Sequence, residues 1–364
     1  MRSISLAYML FGLLLWGCGE AGEEAPDDSA ATPEIPQYSA EAFFETTSYS
    51  LASGDGYAFS ADDTRLLVTS DETGIFNAYA LDPASGERTR LTNSESDAVF
   101  ALSWFPADDR ILFTRDSGGN ERNHVFVREE DGSTRDLTPG EDLKAGFLGW
   151  SADGSAFYLT SNERDSRHFD VYRYDAESYE RELIFENEMG VWPAEISPDG
   201  RWLALEHEIT NADSDLYLLD LEDPEAEPRL ITEHEGDVSH AVMTFTPDST
   251  ALVYGTNAHG EFRQAWRYDL AAGEHAPLIE ADWDVMSVAY SPDGRYRVHG
   301  VNADAQTEVT ILDRETGEKV AFAGLEEGNL GAVRFSRAID RAAFLLERDT
   351  SPDNVYVAGL PDGE

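Results

Sequence analysis

The chain has 364 residues, 41% hydrophobic and 11% aromatic, too apolar for a disordered polymer and sufficient for one large domain. Its 26 Lys and Arg face 72 Asp and Glu, and the formal charge of -46 repels phosphate backbones and excludes nucleic acid as a partner. Cys18 stands alone, so no intrachain disulfide and no cysteine-rich zinc site can form, and packing must hold the fold.

Met1 and Arg2 form a short positive start, and Ile4 to Leu15 is mostly apolar. That stretch is shorter than the ~20 residues a membrane-crossing helix needs, so residues 1–17 read as an export signal. It ends Leu15-Trp16-Gly17-Cys18, which resembles the bacterial lipobox, although Trp16 is larger than the usual residue there. The resemblance implies that Cys18 becomes an acylated N-terminus, since two or more acyl chains anchor stably where one does not. Gly19 in place of Asp implies the outer membrane, with the chain facing the periplasm. Residues 18–39 carry acids, Pro, Ala and Gly and no basic residue, and read as a disordered tether.

From residue 40 to 364 the chain is repetitive. The turn Ser-Pro-Asp-Gly stands at Ser197–Gly200 and Ser291–Gly294, with variants beginning at Ser60, Pro106, Ser151, Thr246 and Ser336. Pro presets φ at the second turn position, Asp bonds back to nearby amides, and Gly takes the positive φ before the next strand. Each unit of about 45 residues carries four short strand-like runs rich in Val, Leu, Phe and Tyr, with no helical stripe. In blade two the second and fourth runs are Arg110–Phe113 and Thr134–Thr138; in blade four the third run is Asp215–Asp220. Those third runs carry an aromatic in six copies (Tyr79, Phe126, Tyr172, Tyr217, Trp266 and Tyr356) and Thr310 in the other; the aromatics are expected to pack between units. The pattern predicts an all-β, seven-bladed β-propeller of four-stranded antiparallel blades. The last unit stops after Pro361-Asp362-Gly363, so its blade is incomplete or is closed by an N-terminal strand from Phe44–Tyr49.

Few residues offer chemistry. A serine nucleophile on a strand-to-helix turn needs Gly-x-Ser-x-Gly; Ser151 has Gly149 before it but Asp153 after it, on a repeat turn. His234 and His240 fit no zinc spacing and read as loop residues. Asn211, Asp213, Asp215 and Glu222 mimic the frame of a calcium loop, but Leu216 holds the glycine position and the stretch reads as a strand. Asp62-Asp63 and Asp108-Asp109 read as turn residues rather than acid–base pairs. The reading therefore assigns no catalytic, metal or cofactor residue, and the one modification site is Cys18.

The stretches Asp71–Tyr79, Gly118–Glu121, Phe147–Ser151, Asn162–Asp165, Phe169–Asp175 and Asn211–Tyr217 resemble the N-terminal propeller of bacterial prolyl oligopeptidase family serine peptidases, of the dipeptidyl and acylaminoacyl peptidase kind. The Ser-Pro-Asp-Gly turns are shared with TolB-type propellers. The peptidase resemblance implies a domain that limits access to small peptides, followed in that family by a hydrolase domain with the Ser, Asp and His. No such half is present, and no catalytic residue carries over. The expectation is a non-catalytic gating propeller, a truncated or degenerate peptidase; the alternative is a TolB-like envelope scaffold. Either would hold a peptide or an envelope protein at its channel or rim.

Overall fold

The computed structural model describes residues 37–322, 328–348 and 351–360, and Cys18 lies outside them. Seven antiparallel sheets follow one another along residues 49–90, 99–136, 145–185, 192–230, 240–279, 284–313 and 329–359. Within each sheet the strands pair in chain order, so every blade is a meander built from local hairpins. The chain is a seven-bladed β-propeller. Among the described residues blades one to five have four strands and blades six and seven have three, with one further bridge, Leu312 to Lys319, beside blade six. The one helical turn among them is Glu41–Phe43.

The repeated turn works as a hydrogen-bonding device. In blade three the Ser151 hydroxyl donates to Asp153 (2.8 Å) and accepts from the Ala156 amide (2.9 Å), while Asp153 accepts from the Ser155 amide (3.0 Å). The serine-to-fifth-residue bond recurs at Ser60, Ser197, Thr246, Ser291 and Ser336. Gly154, Gly200 and Gly294 close the turn at φ 68°, 76° and 74°, and at three of the four turns without glycine Asp63, Ser249 and Ile339 take the same left-handed conformation.

The core consists of the junctions between blades. One apolar cluster joins blades seven, one and two, and the next joins two and three through Phe105, Phe157 and Tyr174. Further clusters join three to four, four to five, five to six and six to seven. Tyr79, Phe126, Tyr172, Tyr217 and Trp266 all sit in these junction clusters. Tyr79 and Tyr172 are buried, whereas Phe126, Tyr217, Trp266 and Tyr356 stay half-buried. Tyr356 stacks on Phe344, which stacks in turn on Phe322 beyond blade six.

Of the two arrangements expected for the last blade, incomplete or closed by an N-terminal strand, the closing strand does not form among the described residues. Tyr49–Leu51 pairs with Ser70, Thr69 and Val68 as the first strand of blade one, and no described residue before Tyr49 enters a sheet. Blade seven instead meets blade one by packing and polar contacts. Ala343 joins the blade-one core, and the Asp63 carboxylate accepts the amides of Arg337 and Ala338, both at 2.8 Å. The Arg341 guanidinium donates to the Asp63 carbonyl (2.8 Å), and that of Arg337 lies 4.0 Å over the Tyr57 ring.

Candidate functional site

The first strands of blades three, four, five and six adjoin one another in sequence, which puts the first strand of each blade at the channel. Six of the seven carry a β-bulge: at Leu102, Leu148, Ala194, Met243 and Met286, and over Ala332 and Val333. A bulge turns a side chain out of the alternating pattern and re-aims it. Blade one differs. Its first strand stops at Leu51 and resumes as a single bridge, Phe59 to Leu66.

The intervening residues 52–58 form a strap that bulges from blade one, with the Ala52 amide donating to the Leu67 carbonyl (3.2 Å) and the Leu67 amide to the Ala58 carbonyl (2.8 Å). The Ser53 amide donates to the Leu102 carbonyl (3.0 Å), the Trp104 amide to the Tyr57 carbonyl (2.9 Å), and the Tyr57 amide to the Ser103 hydroxyl (2.8 Å). That hydroxyl also accepts from the Trp150 indole of blade three at 2.8 Å. Gly56 is required for this approach, since a Cβ there would lie 2.3 Å from the Leu102 carbonyl oxygen. Asp55 passes Gly149 of blade three, and Arg334 of blade seven donates to the Ala52 and Ser53 carbonyls, both at 3.2 Å. Blades one, two, three and seven thus meet at this one segment.

Around the strap stand charged groups that are partly wetted by the channel yet enclosed by blades. Enclosure raises the Asp55 carboxyl above its ordinary value, partly offset by Arg334. Glu195, in the first strand of blade four, is pushed up to about 8 by enclosure and then by the charge of Asp55. Its Oε1 accepts the Thr244 hydroxyl (3.1 Å) and the Phe245 amide (3.2 Å) of blade five. Glu206 is raised by enclosure and accepts the Val242 amide at 2.5 Å.

At the face opposite the Ser-Pro-Asp-Gly turns, three aromatic pairs straddle alternate blade junctions. Phe76 meets Phe100 at 5.4 Å, Phe169 meets Trp192 at 4.7 Å, and Phe262 meets Trp283 at 5.6 Å. Phe100, Trp192 and Met286 lie on first strands and Trp283 just before one, yet they are 41%, 54%, 47% and 41% exposed. These exposed side chains lie near the beginnings of the first strands, the ends away from the repeated turns. A cavity of about 590 Å³ beside Phe100 is lined by Asp97, Asp116, Glu121 and Lys144.

The residues weighed in the sequence fall elsewhere. The Ser151 hydroxyl is committed to its turn. Asp213 and Asp215 both pair with His234 (2.9 and 3.6 Å), while Glu222 lies 3.8 Å from Arg201, so the calcium-loop frame does not assemble. His240, expected in a loop, opens the first strand of blade five; it is buried, its ring lies 5.0 Å from that of His234 at a tilt of 47°, and its basicity is lowered by burial. Among the described residues no three His, Cys, Asp or Glu side chains converge as a metal site. Asp62 is held at about 2 by the Ser60 and Thr64 hydroxyls, as a turn residue should be, but Asp63 is a blade-to-blade acceptor. Asp108 pairs with Arg110 and Asp109 with Arg65. Glu195 and the strap were not anticipated, although Gly54-Asp55-Gly56 breaks a run that is continuous in the other repeats.

Residues 92–356 match the family of prolyl oligopeptidase N-terminal β-propeller domains. Dipeptidyl aminopeptidase BIII of Pseudoxanthomonas mexicana is 28% identical over 118 residues, which are 32% of this chain and 17% of that protein. The matched segment therefore spans about a sixth of the relative's length. A solved prolyl endopeptidase superposes with a TM-score of 0.65 at 16% identity, over 88% of this chain and 49% of the other. An oligogalacturonate lyase solved with manganese superposes at 0.64 and 16% identity, over 87% and 91% of the two chains. At such identities these two likenesses concern the fold alone.

Proposed function

The chain belongs to the family of prolyl oligopeptidase N-terminal β-propeller domains, and on that footing we propose that it is a substrate-gating module that admits extended peptides to its channel and excludes folded proteins. The observation that carries the reading is the strap of residues 52–58, which is bonded to blades two and seven near the turn ends of their first strands, while exposed aromatics stand at the opposite ends. A groove with apolar walls and a few placed polar groups suits an extended chain, whose backbone can use Glu195 and Thr244. No residue of the chain is assigned a bond-breaking role. Peptide hydrolysis belongs to the proposal only as the activity such a gate would serve.

The reading includes export and anchoring at Cys18, facing the periplasm, with the acidic tether holding the propeller off the lipid surface. Two experiments test it. Equilibrium binding of an unstructured decapeptide library and of small folded proteins to the purified full chain should retain peptides alone; equal retention of folded proteins refutes the gate. In cells a Cys18→Ser variant should leave the membrane fraction and lose acyl label, and an unchanged distribution refutes the anchor.

A further inference from the structure

The aromatic mouth has a chemistry of its own. Each of its three pairs has carboxylates close by in the chain: Asp97 beside Phe100, Glu186 and Glu188 ahead of Trp192, and Asp282 and Asp284 on either side of Trp283. Glu206, whose strand pairs with that of Trp192 at this residue, adds a fourth group. Among the described residues Asp97, Glu188, Glu206, Asp282 and Asp284 have no salt bridge, while Glu186 shares Arg164 with Asp170. The cations at this face are few. Lys144, one of two lysines in the chain, lines the cavity beside Phe100, while Arg115 lies near Asp97, Arg164 near Glu188 and Arg263 near Glu206.

Resting on the gating reading above, we propose that this mouth is a docking site for cationic peptides that also carry aromatic side chains. Rings of the peptide stack on the Phe76–Phe100, Phe169–Trp192 and Phe262–Trp283 pairs, where aromatic contacts are strongest when edges and faces are offset. Lys and Arg of the peptide meet the carboxylates beside those pairs that hold no salt bridge among the described residues. Charge selects this occupant over others. A second copy would bring another -46, and an anionic lipid surface would add the same sign, whereas a cationic chain is drawn in from a distance.

The test is calorimetric titration of the detergent-solubilised full chain with three octapeptides: alternating Lys and Phe, alternating Glu and Phe, and alternating Lys and Ser. The Lys-Phe peptide should bind at least about tenfold more tightly than either other, a gap that narrows between low and high salt. The exposed-site double variant Trp192→Ala, Trp283→Ala should lose about tenfold for Lys-Phe while its melting temperature holds. Equal affinity for Lys-Phe and Glu-Phe overturns the charge selection but leaves the gate standing, and no binding of any peptide overturns both. Undiminished binding by the double variant overturns the location. Sedimentation as a dimer, or flotation with phosphatidylcholine vesicles, abolished by that variant would assign the mouth to a second copy or to lipid and overturn the proposal.

Discussion

Replacing Asp63 by Asn tests how the ring closes. The side chain is 7% exposed and accepts two amides of blade seven, from Arg337 and Ala338, each at 2.8 Å. Hydrogen bonds to a charged acceptor contribute about 1.5–3 kcal/mol each. Asn keeps one carbonyl oxygen but presents an NH₂ group to the second amide, so one bond is lost and one buried N–H is orphaned, at a cost of about 3 kcal/mol. Asn also tolerates the φ of 57° at this position, so backbone strain does not enter. With an unfolding entropy of about 2.1 cal/mol/K per residue, the melting temperature should fall by about 4–5 °C. Asp62→Asn in the same turn touches only Ser60 and Thr64 and is the matched control. Scanning calorimetry of both variants decides: if Asp63→Asn melts within about 1 °C of the control, the blade-seven junction is not held by this carboxylate.

Three further outcomes follow from the channel and the charge. Glu195, raised to about 8, stays protonated in the folded chain where the unfolded chain has already ionised. Folding then takes up a proton, and stability falls as pH rises from about 4.5 to 8; Glu195→Gln should flatten that slope and gain on the order of 2 kcal/mol at pH 9, discounted for channel water, and an unchanged denaturant midpoint above pH 8 would contradict it. Gly56→Ala should displace the strap, costing about 1–3 kcal/mol and speeding hydrogen exchange at the Ser53 and Tyr57 amides; unaltered exchange there would mean that the strap accommodates a Cβ. The -46 charge should make the unfolding midpoint rise with sodium chloride as repulsion is screened, and indifference to salt would count against any adaptation to saline surroundings.

The blades were legible because everything that makes a blade is local. A serine at one turn position and an aspartate two residues on accept amides within five residues, and the glycine after them donates its amide to the serine carbonyl, so the Ser197 and Ser291 turns announce themselves without tertiary help. The junction aromatics were legible for a related reason, since a side chain recurring once per repeat must meet the same neighbour each time. Asp63 misled because its pattern is that of a turn, and nothing nearby in the chain reveals that its acceptors serve amides some 274 residues away.

By itself, then, the sequence determined the repeat, the number of blades, the acidity and the resemblance to a peptidase propeller, all of which arise from short-range periodicity and composition. Only the tertiary structure decided how the ring closes, that residues 52–58 reach blades two, three and seven, and that the charge of Asp55 acts on Glu195. Those facts depend on which blades come to face one another when the ring is drawn shut, and a contact between blades one, three, four and seven has no spacing in the chain by which to be recognised.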